Sequence, residues 1–141
     1  MLRLARRYRF SASHRLDSRQ LSAEQNREIY GKCNNPYGHG HDYILEVIAR
    51  GDADPETGLL LKVADLDALV RDAVLNDFDL ADMNRQIEAF RDVPPTTENV
   101  AVEIERRIAR SWPEVFPGGA RLDGIRILET KRNHVELRHE E

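Results

Sequence analysis

A single cysteine, Cys33, is all the thiol this 141-residue chain has. No intramolecular disulfide can brace it, and the composition fits a reducing, cytoplasmic setting. No apolar run approaches the ~18 residues that a membrane span needs, so no membrane role is expected. The first ten residues carry Arg3, Arg6, Arg7 and Arg9 with no apolar stretch behind them, which does not read as a secretory signal. An excess of basic charge is missing as well. Lys and Arg number 21 against 25 Asp and Glu, for a net charge of -4, so general nucleic-acid affinity is not expected. Aromatic residues are few, and repeats, low-complexity tracts and long linkers are absent. A charged fraction of 33% borders on what disordered chains show, but 40% apolar residues at regular spacing suffice for a modest core. The expectation is one folded domain over 1–141.

Against those absences stand periodic segments. Residues 2–14 alternate as a strand, with Leu4, Tyr8, Phe10 and Ala12 on one parity and Arg3, Arg7, Arg9, Ser11 and Ser13 on the other. Arg6 breaks the alternation and must point inward unless a bulge intervenes; His14 falls on the apolar parity. A polar loop is expected from Asp17 to about Gly40. A second strand, His41 to Arg50, puts His41, Tyr43, Leu45, Val47 and Ala49 on one face. A helix is expected from Ala64 to Leu75, where Leu66, Leu69, Val70, Ala73 and Val74 share one stripe. Residues 76–95 read as irregular. Thr96 or Thr97 can cap a second helix with the stripe Val100, Ile104 and Ile108, and Pro113 marks its stop. Two closing strands follow, Leu122–Thr130 and Val135–Arg138. Strands and helices grouped in this way indicate an α+β fold with an antiparallel sheet.

Chemistry concentrates in Gly31-Lys32-Cys33-Asn34-Asn35-Pro36-Tyr37-Gly38-His39-Gly40-His41. Histidines at i and i+2 of a strand project to one face, so His39 and His41 can reach the same metal ion. His14, at the inward end of a neighbouring strand, can supply a third nitrogen. Three imidazoles leave a coordination position open, as catalytic zinc sites do. His-x-His pairs also occur in loops without metal. Cys33 has three readings: a fourth ligand closing a structural site, an inert buried thiol, or a thiolate whose pKa Lys32 and a nearby cation depress. Glu129 lies on the apolar parity of its strand. Either it escapes to water at the strand end or it awaits the N–H donors of a flat ligand. His134 and His139 have no identifiable partner, and the arginine-bearing face of the first strand reads as solvated or subunit-facing.

Together these residues resemble the 6-pyruvoyltetrahydropterin synthase and 6-carboxytetrahydropterin synthase family. The resemblance runs through Phe10-Ser11-Ala12-Ser13-His14, Tyr30-Gly31-Lys32-Cys33-Asn34-Asn35-Pro36 and Gly38-His39-Gly40-His41-Asp42-Tyr43. It continues at Asp54-Pro55-Glu56-Thr57-Gly58, Thr96-Thr97-Glu98-Asn99-Val100-Ala101-Val102 and Glu129-Thr130. It implies a tunnelling-fold (T-fold) subunit, a four-stranded antiparallel sheet with two helices on one face, assembling into a barrel that is usually hexameric. It implies a zinc-dependent lyase acting on a small pterin substrate, 7,8-dihydroneopterin triphosphate. By the same resemblance His14, His39 and His41 hold zinc, Cys33 is the general base, Glu129 grips the pterin, and Thr96 and Thr97 lie near it. Five residues between Cys33 and His39 resemble the pyruvoyl branch, although microbial members with that gap also make the carboxy product.

One position departs from the pattern. The family carries an Asp-His pair after the first helix, which joins the cysteine in a proton relay. Here the stretch reads Phe78-Asp79-Leu80-Ala81-Asp82-Met83-Asn84, so Asp79 keeps its place and Leu80 replaces the histidine. Leucine cannot carry a proton. The same residues therefore also suit a zinc- and pterin-binding homologue whose reaction is lost or altered.

Overall fold

The structure, a computed structural model, describes residues 1–140; Glu141, the end of the expected domain, lies outside the described residues. Strand β1, Leu2–His14, and strand β2, His39–Gly51, pair antiparallel along their whole length, from Leu2 opposite Gly51 to His14 opposite His39. Strand β3 is only Ala81–Asp82 and runs parallel to β1. Strand β4, Arg121–Leu128, pairs with β2, and β5, His134–Arg138, pairs with β4. The sheet order is β3-β1-β2-β4-β5. The four expected antiparallel strands are all present. The fifth is a two-residue parallel addition, too short to leave a periodic pattern.

The helices depart further from expectation. Residues 17–40 are not simply a loop. They hold α1, Ala23–Tyr30, and a 3₁₀ turn, Gly31–Asn34. A reciprocal capping box starts α1: Gln25 N–H donates to Ser22 Oγ at 3.1 Å, and Ser22 N–H donates to Gln25 Oε1 at 2.9 Å. Helix α2, Val63–Val70, continues through a π-helical turn, Arg71–Leu75, into α3, Asn76–Phe78. The stretch expected to be irregular contains β3, α4 (Met83–Gln86) and a 3₁₀ turn at Glu88–Phe90. Helix α5 spans Thr97–Val115, so Pro113 lies inside it rather than at its stop. The proline gives up one hydrogen bond of the helix, to the Ala109 carbonyl, and only two helical residues follow it. The last turn is also held by the Trp112 indole, which donates to the Ala120 carbonyl at 3.1 Å.

One face of the sheet packs on α2 and α5. Phe10, Tyr43, Leu45, Val47, Ile125 and Ile127 are buried there against Leu66, Val70, Val100, Ile104 and Ile108. Each such side chain contributes on the order of 1.5–3 kcal/mol through burial. Arg6 needs no bulge. It projects from the same face, opposite Val47, and its guanidinium pairs with both oxygens of Asp67 on α2 at 2.7 and 2.9 Å. The opposite face is ionic. Arg7 donates to the buried Glu46 at 3.1 Å and Arg3 to Asp123 at 2.8 Å, so these strand arginines are neutralised within the chain. Among the described residues, no helix is long and apolar enough to cross a membrane.

Candidate active site

The end of the β1–β2 ladder builds the site. His14 faces its cross-strand neighbour His39, and His41 lies two residues further along β2 on the same face. The ring centroids are 4.7 to 5.1 Å apart and the rings stand at 82–84° to one another. Gly38 permits this approach. Its φ is +71°, and a Cβ there would lie 2.9 Å from the His14 carbonyl oxygen.

The tautomer of His14 is fixed from behind. Its Nδ1–H meets the Pro95 carbonyl at 2.9 Å, which leaves Nε2 as a lone pair aimed at the other histidines. Tyr43, fully buried beneath, places its hydroxyl 3.4 Å from the same Nδ1. Burial keeps the His14 pKa below its usual value despite the Pro95 contact, and burial followed by the neighbouring His41 does the same for His39. Neutral imidazoles are what a metal requires.

Glu129 completes the cluster from just beyond β4. Its Oε2 accepts a hydrogen bond from the Thr97 hydroxyl, while Oε1 lies 2.9 Å from His41 Nε2 and 3.7 Å from His14 Nε2. The 2.9 Å approach is not aligned as a hydrogen bond. Consequently Nε2 of His14 and of His41 are buried without a hydrogen-bond partner among the described residues. One donor atom from each of His14, His39, His41 and Glu129 lies within 4.8 Å of the others. Buried nitrogens left unpaired are costly unless something else engages them, and this donor set suits a divalent metal ion.

Cys33 is not in that cluster, so this geometry does not make it a fourth ligand. It is half-buried on the 3₁₀ turn and shares a cleft with His39. The segment is tied down by Leu16 N–H donating to the Cys33 carbonyl at 2.8 Å and by Asn34 donating to Leu16 and Asp17 at 2.7 and 2.9 Å. Burial, then the Glu129 charge, pushes the thiol pKa up; the lowering expected from Lys32 does not appear.

The remaining residues separate. Thr96 caps α5, accepting from Asn99 N–H at 3.2 Å, whereas Thr97 reaches Glu129. Asp79 lies at the outer edge of β1 and accepts from Ser11 N–H at 2.9 Å. Next to it Leu80 has φ +63° and is 83% exposed, lining a shallow cleft with Ser11 and Asp42. Within one chain, then, Asp79 and Leu80 do not share a cleft with Cys33. His134 is exposed, while His139 has a partner after all, Glu105 at 2.6 Å. Sequence reasoning missed Pro95, Tyr43 and α1; only α1 had a local signal, the Ser22-x-x-Gln25 box.

The family model for 6-pyruvoyl tetrahydropterin synthase matches residues 3–140. The chain belongs to that family. It is 44% identical over 131 residues to the 6-pyruvoyl tetrahydrobiopterin synthase of Poecilia reticulata, covering 93% of this chain and 86% of the relative. It is 41% identical over 137 residues to that of Homo sapiens, covering 97% and 91%. The structure of Caenorhabditis elegans 6-pyruvoyl tetrahydropterin synthase superposes with a TM-score of 0.88 at 34% identity, covering 99% of this chain and 96% of that one. The sheet bearing α2 and α5 on one face is accordingly a T-fold subunit. Its family is that of the pyruvoyl- and carboxy-tetrahydropterin synthase lyases, and its histidine–glutamate group is consistent with the family's metal binding.

Proposed function

We propose that this protein is a zinc-dependent lyase that converts 7,8-dihydroneopterin triphosphate to a 6-substituted tetrahydropterin, of the pyruvoyl rather than the carboxy type. The observation that carries the reading is the convergence of two unpartnered buried Nε2 atoms, from His14 and His41, with His39 and Glu129. The choice of branch draws on the pyruvoyl names of relatives at 44% and 41% identity and on the five residues between Cys33 and His39.

In this reading His14, His39 and His41 hold zinc. When bound, zinc supplies Lewis acidity that eases loss of protons from the substrate's hydroxylated side chain. Cys33, across the cleft from His39, takes a proton as general base. Glu129, steadied by Thr97, accepts from the pterin's amino and ring N–H groups and fixes its orientation. Thr96, by capping α5, keeps Thr97 at the required place. Asp79 belongs to the proton relay, although Leu80 fills the adjacent relay position. We further propose a cytoplasmic homo-oligomer, a hexamer, because Asp79 and Cys33 can then meet across subunits.

The test is direct. Zinc-loaded protein incubated with 7,8-dihydroneopterin triphosphate should release the pyruvoyl product, identified by mass spectrometry. The carboxy product would move it to the other branch, and neither product would sink the enzymatic reading.

A further inference from the structure

Leu66, Val70, Val74 and Phe78 are all fully buried, at a strict spacing of four residues. In an unbroken α-helix that spacing drifts by about 40° per step, which would carry Phe78 about 120° away from Leu66. The π-helical turn Arg71–Leu75 absorbs the drift, with Asn76 N–H donating back five residues to the Arg71 carbonyl. Phe78 thereby reaches the core, edge-on to Phe10 at 5.7 Å and to Phe90 at 6.3 Å. The next two residues arrive at the outer edge of β1. Asp79 accepts from Ser11 N–H at 2.9 Å, and Leu80 N–H donates to the Ser11 carbonyl at 2.6 Å.

Turns of the π type are rare and tend to persist where a site needs them. Arg107 on α5 holds this one. Its Nη1 donates to the Ala73 carbonyl at 3.3 Å, inside the turn, and to Asp77 at 2.7 Å, just after it. The guanidinium carbon lies 5.1 Å from the centroid of the Phe78 ring. Glu103 steadies the group from its own helix, accepting from Nε at 3.0 Å. Joining two helices explains the pair with Asp77. It does not explain why the same group also grips Ala73 and Phe78, along the chain that leads to Asp79. The neighbouring Arg106 makes the contrast. Among the described residues it donates to Glu103 alone, and its side chain is 57% exposed against 20% for Arg107.

Resting on the function proposed above, in which Asp79 belongs to the proton relay, we propose that Arg107 is a positioning residue for Asp79. It holds the π turn closed, and the turn sets where Asp79 leaves the helix and meets β1. Arg107 acts through Ala73, Asp77 and Phe78 rather than on any reacting atom, and a relay group misplaced by even an ångström loses rate.

The experiment compares zinc-loaded wild type with Arg107→Met and Arg107→Lys. Methionine keeps an apolar stem, and Glu103 retains Arg106, so the fold should survive; zinc analysis and urea unfolding verify this. Hydrogen exchange followed by mass spectrometry is the deciding readout. In Arg107→Met, peptides covering residues 76–80 should exchange roughly tenfold faster, the scale of one lost charge-assisted contact, while β2 keeps its wild-type rates. On the triphosphate substrate kcat should fall by a similar factor with KM unchanged, because proton transfer rather than binding is disturbed. Arg107→Lys keeps the charge but lacks the planar fork, so it should fall between the two. Unchanged exchange at 76–80, or acceleration spread evenly over the whole chain, would overturn the assignment, and so would faster local exchange with kcat untouched. If wild type makes no product, the enzymatic reading fails, and hydrogen exchange still decides whether Arg107 holds the segment that carries Asp79.

Discussion

At the residue scale, two carboxylate and thiol groups border the histidines and must be told apart by what they hold. Glu129 reaches the cluster with Oε1, so it is a competent fourth metal donor as well as the proposed pterin carboxylate. Thr97 keeps its other oxygen, which favours a side chain that stays in place when a ligand arrives. Glu129→Gln should therefore retain stoichiometric zinc by metal analysis and lose pterin binding. Zinc lost in that variant would instead make Glu129 a ligand. Cys33 lies outside the cluster, so Cys33→Ala should likewise keep zinc while turnover falls about 10²–10⁴-fold, the usual worth of a general base. Leu80 is the opposite case, a side chain that can do no chemistry held at φ +63° on the surface. Non-glycine residues rarely adopt that conformation, and histidine is among those that tolerate it better. If the relay is depleted, Leu80→His should raise turnover by up to ~10²-fold. An unchanged rate would show that another residue already serves.

At the element scale, α5 is fastened to α3 by a compact ion cluster. Both Arg106 and Arg107 donate to the buried Glu103, at 2.6 and 3.0 Å, and Arg107 reaches on to Asp77 at 2.7 Å. These donors hold the Glu103 carboxyl below its ordinary pKa, with the hydrogen bond from Arg106 the largest cause. A depressed folded-state pKa contributes stability above the unfolded value of about 4.3, and that contribution is lost as pH falls through the folded one. Glu103→Gln should thus cost about 1–3 kcal/mol at pH 7 in urea unfolding, with the difference from wild type shrinking in acid. A gap independent of pH would mean the pair acts through packing alone.

The same helix shows what a sequence can disclose. Its Thr96 cap and its Val100, Ile104 and Ile108 stripe are local signals, as is the alternation that marks β1 and the shared parity of His39 and His41. Helix α1 carried a local signal too, but Ser22 and Gln25 sit in a stretch so polar that no apolar stripe draws attention to them. β3 has two residues and exists because Leu80 N–H finds the Ser11 carbonyl at 2.6 Å. The Pro95 carbonyl behind His14 is 81 residues away in the chain. No spacing rule reaches that far, so the orienting contact of the site emerges only once the sheet and α5 are assembled.

At the scale of the whole molecule, the sheet is unfinished. Only two residues of β3 cover the outer edge of β1, and β5 ends the other side, so both edges present backbone groups that another strand can satisfy. The proposed relay residues follow the same logic. Asp79 and Leu80 stand on that outer edge, where Leu80 lines a cleft that also holds His41, whereas Cys33 lines the cleft that holds His39. The homo-oligomer proposed above would let another copy's strands satisfy these edges, and would let Asp79 of one copy serve Cys33 of another. Complementation tests this without presupposing the assembly's size. Cys33→Ala and Asp79→Asn should each be nearly inactive alone, and co-expression of the two should restore part of the turnover, because some interfaces then combine an intact Cys33 with an intact Asp79. Light scattering on the same samples should report a multiple of the 16.2 kDa chain. A mixed assembly that stays inactive would place the two residues in separate tasks.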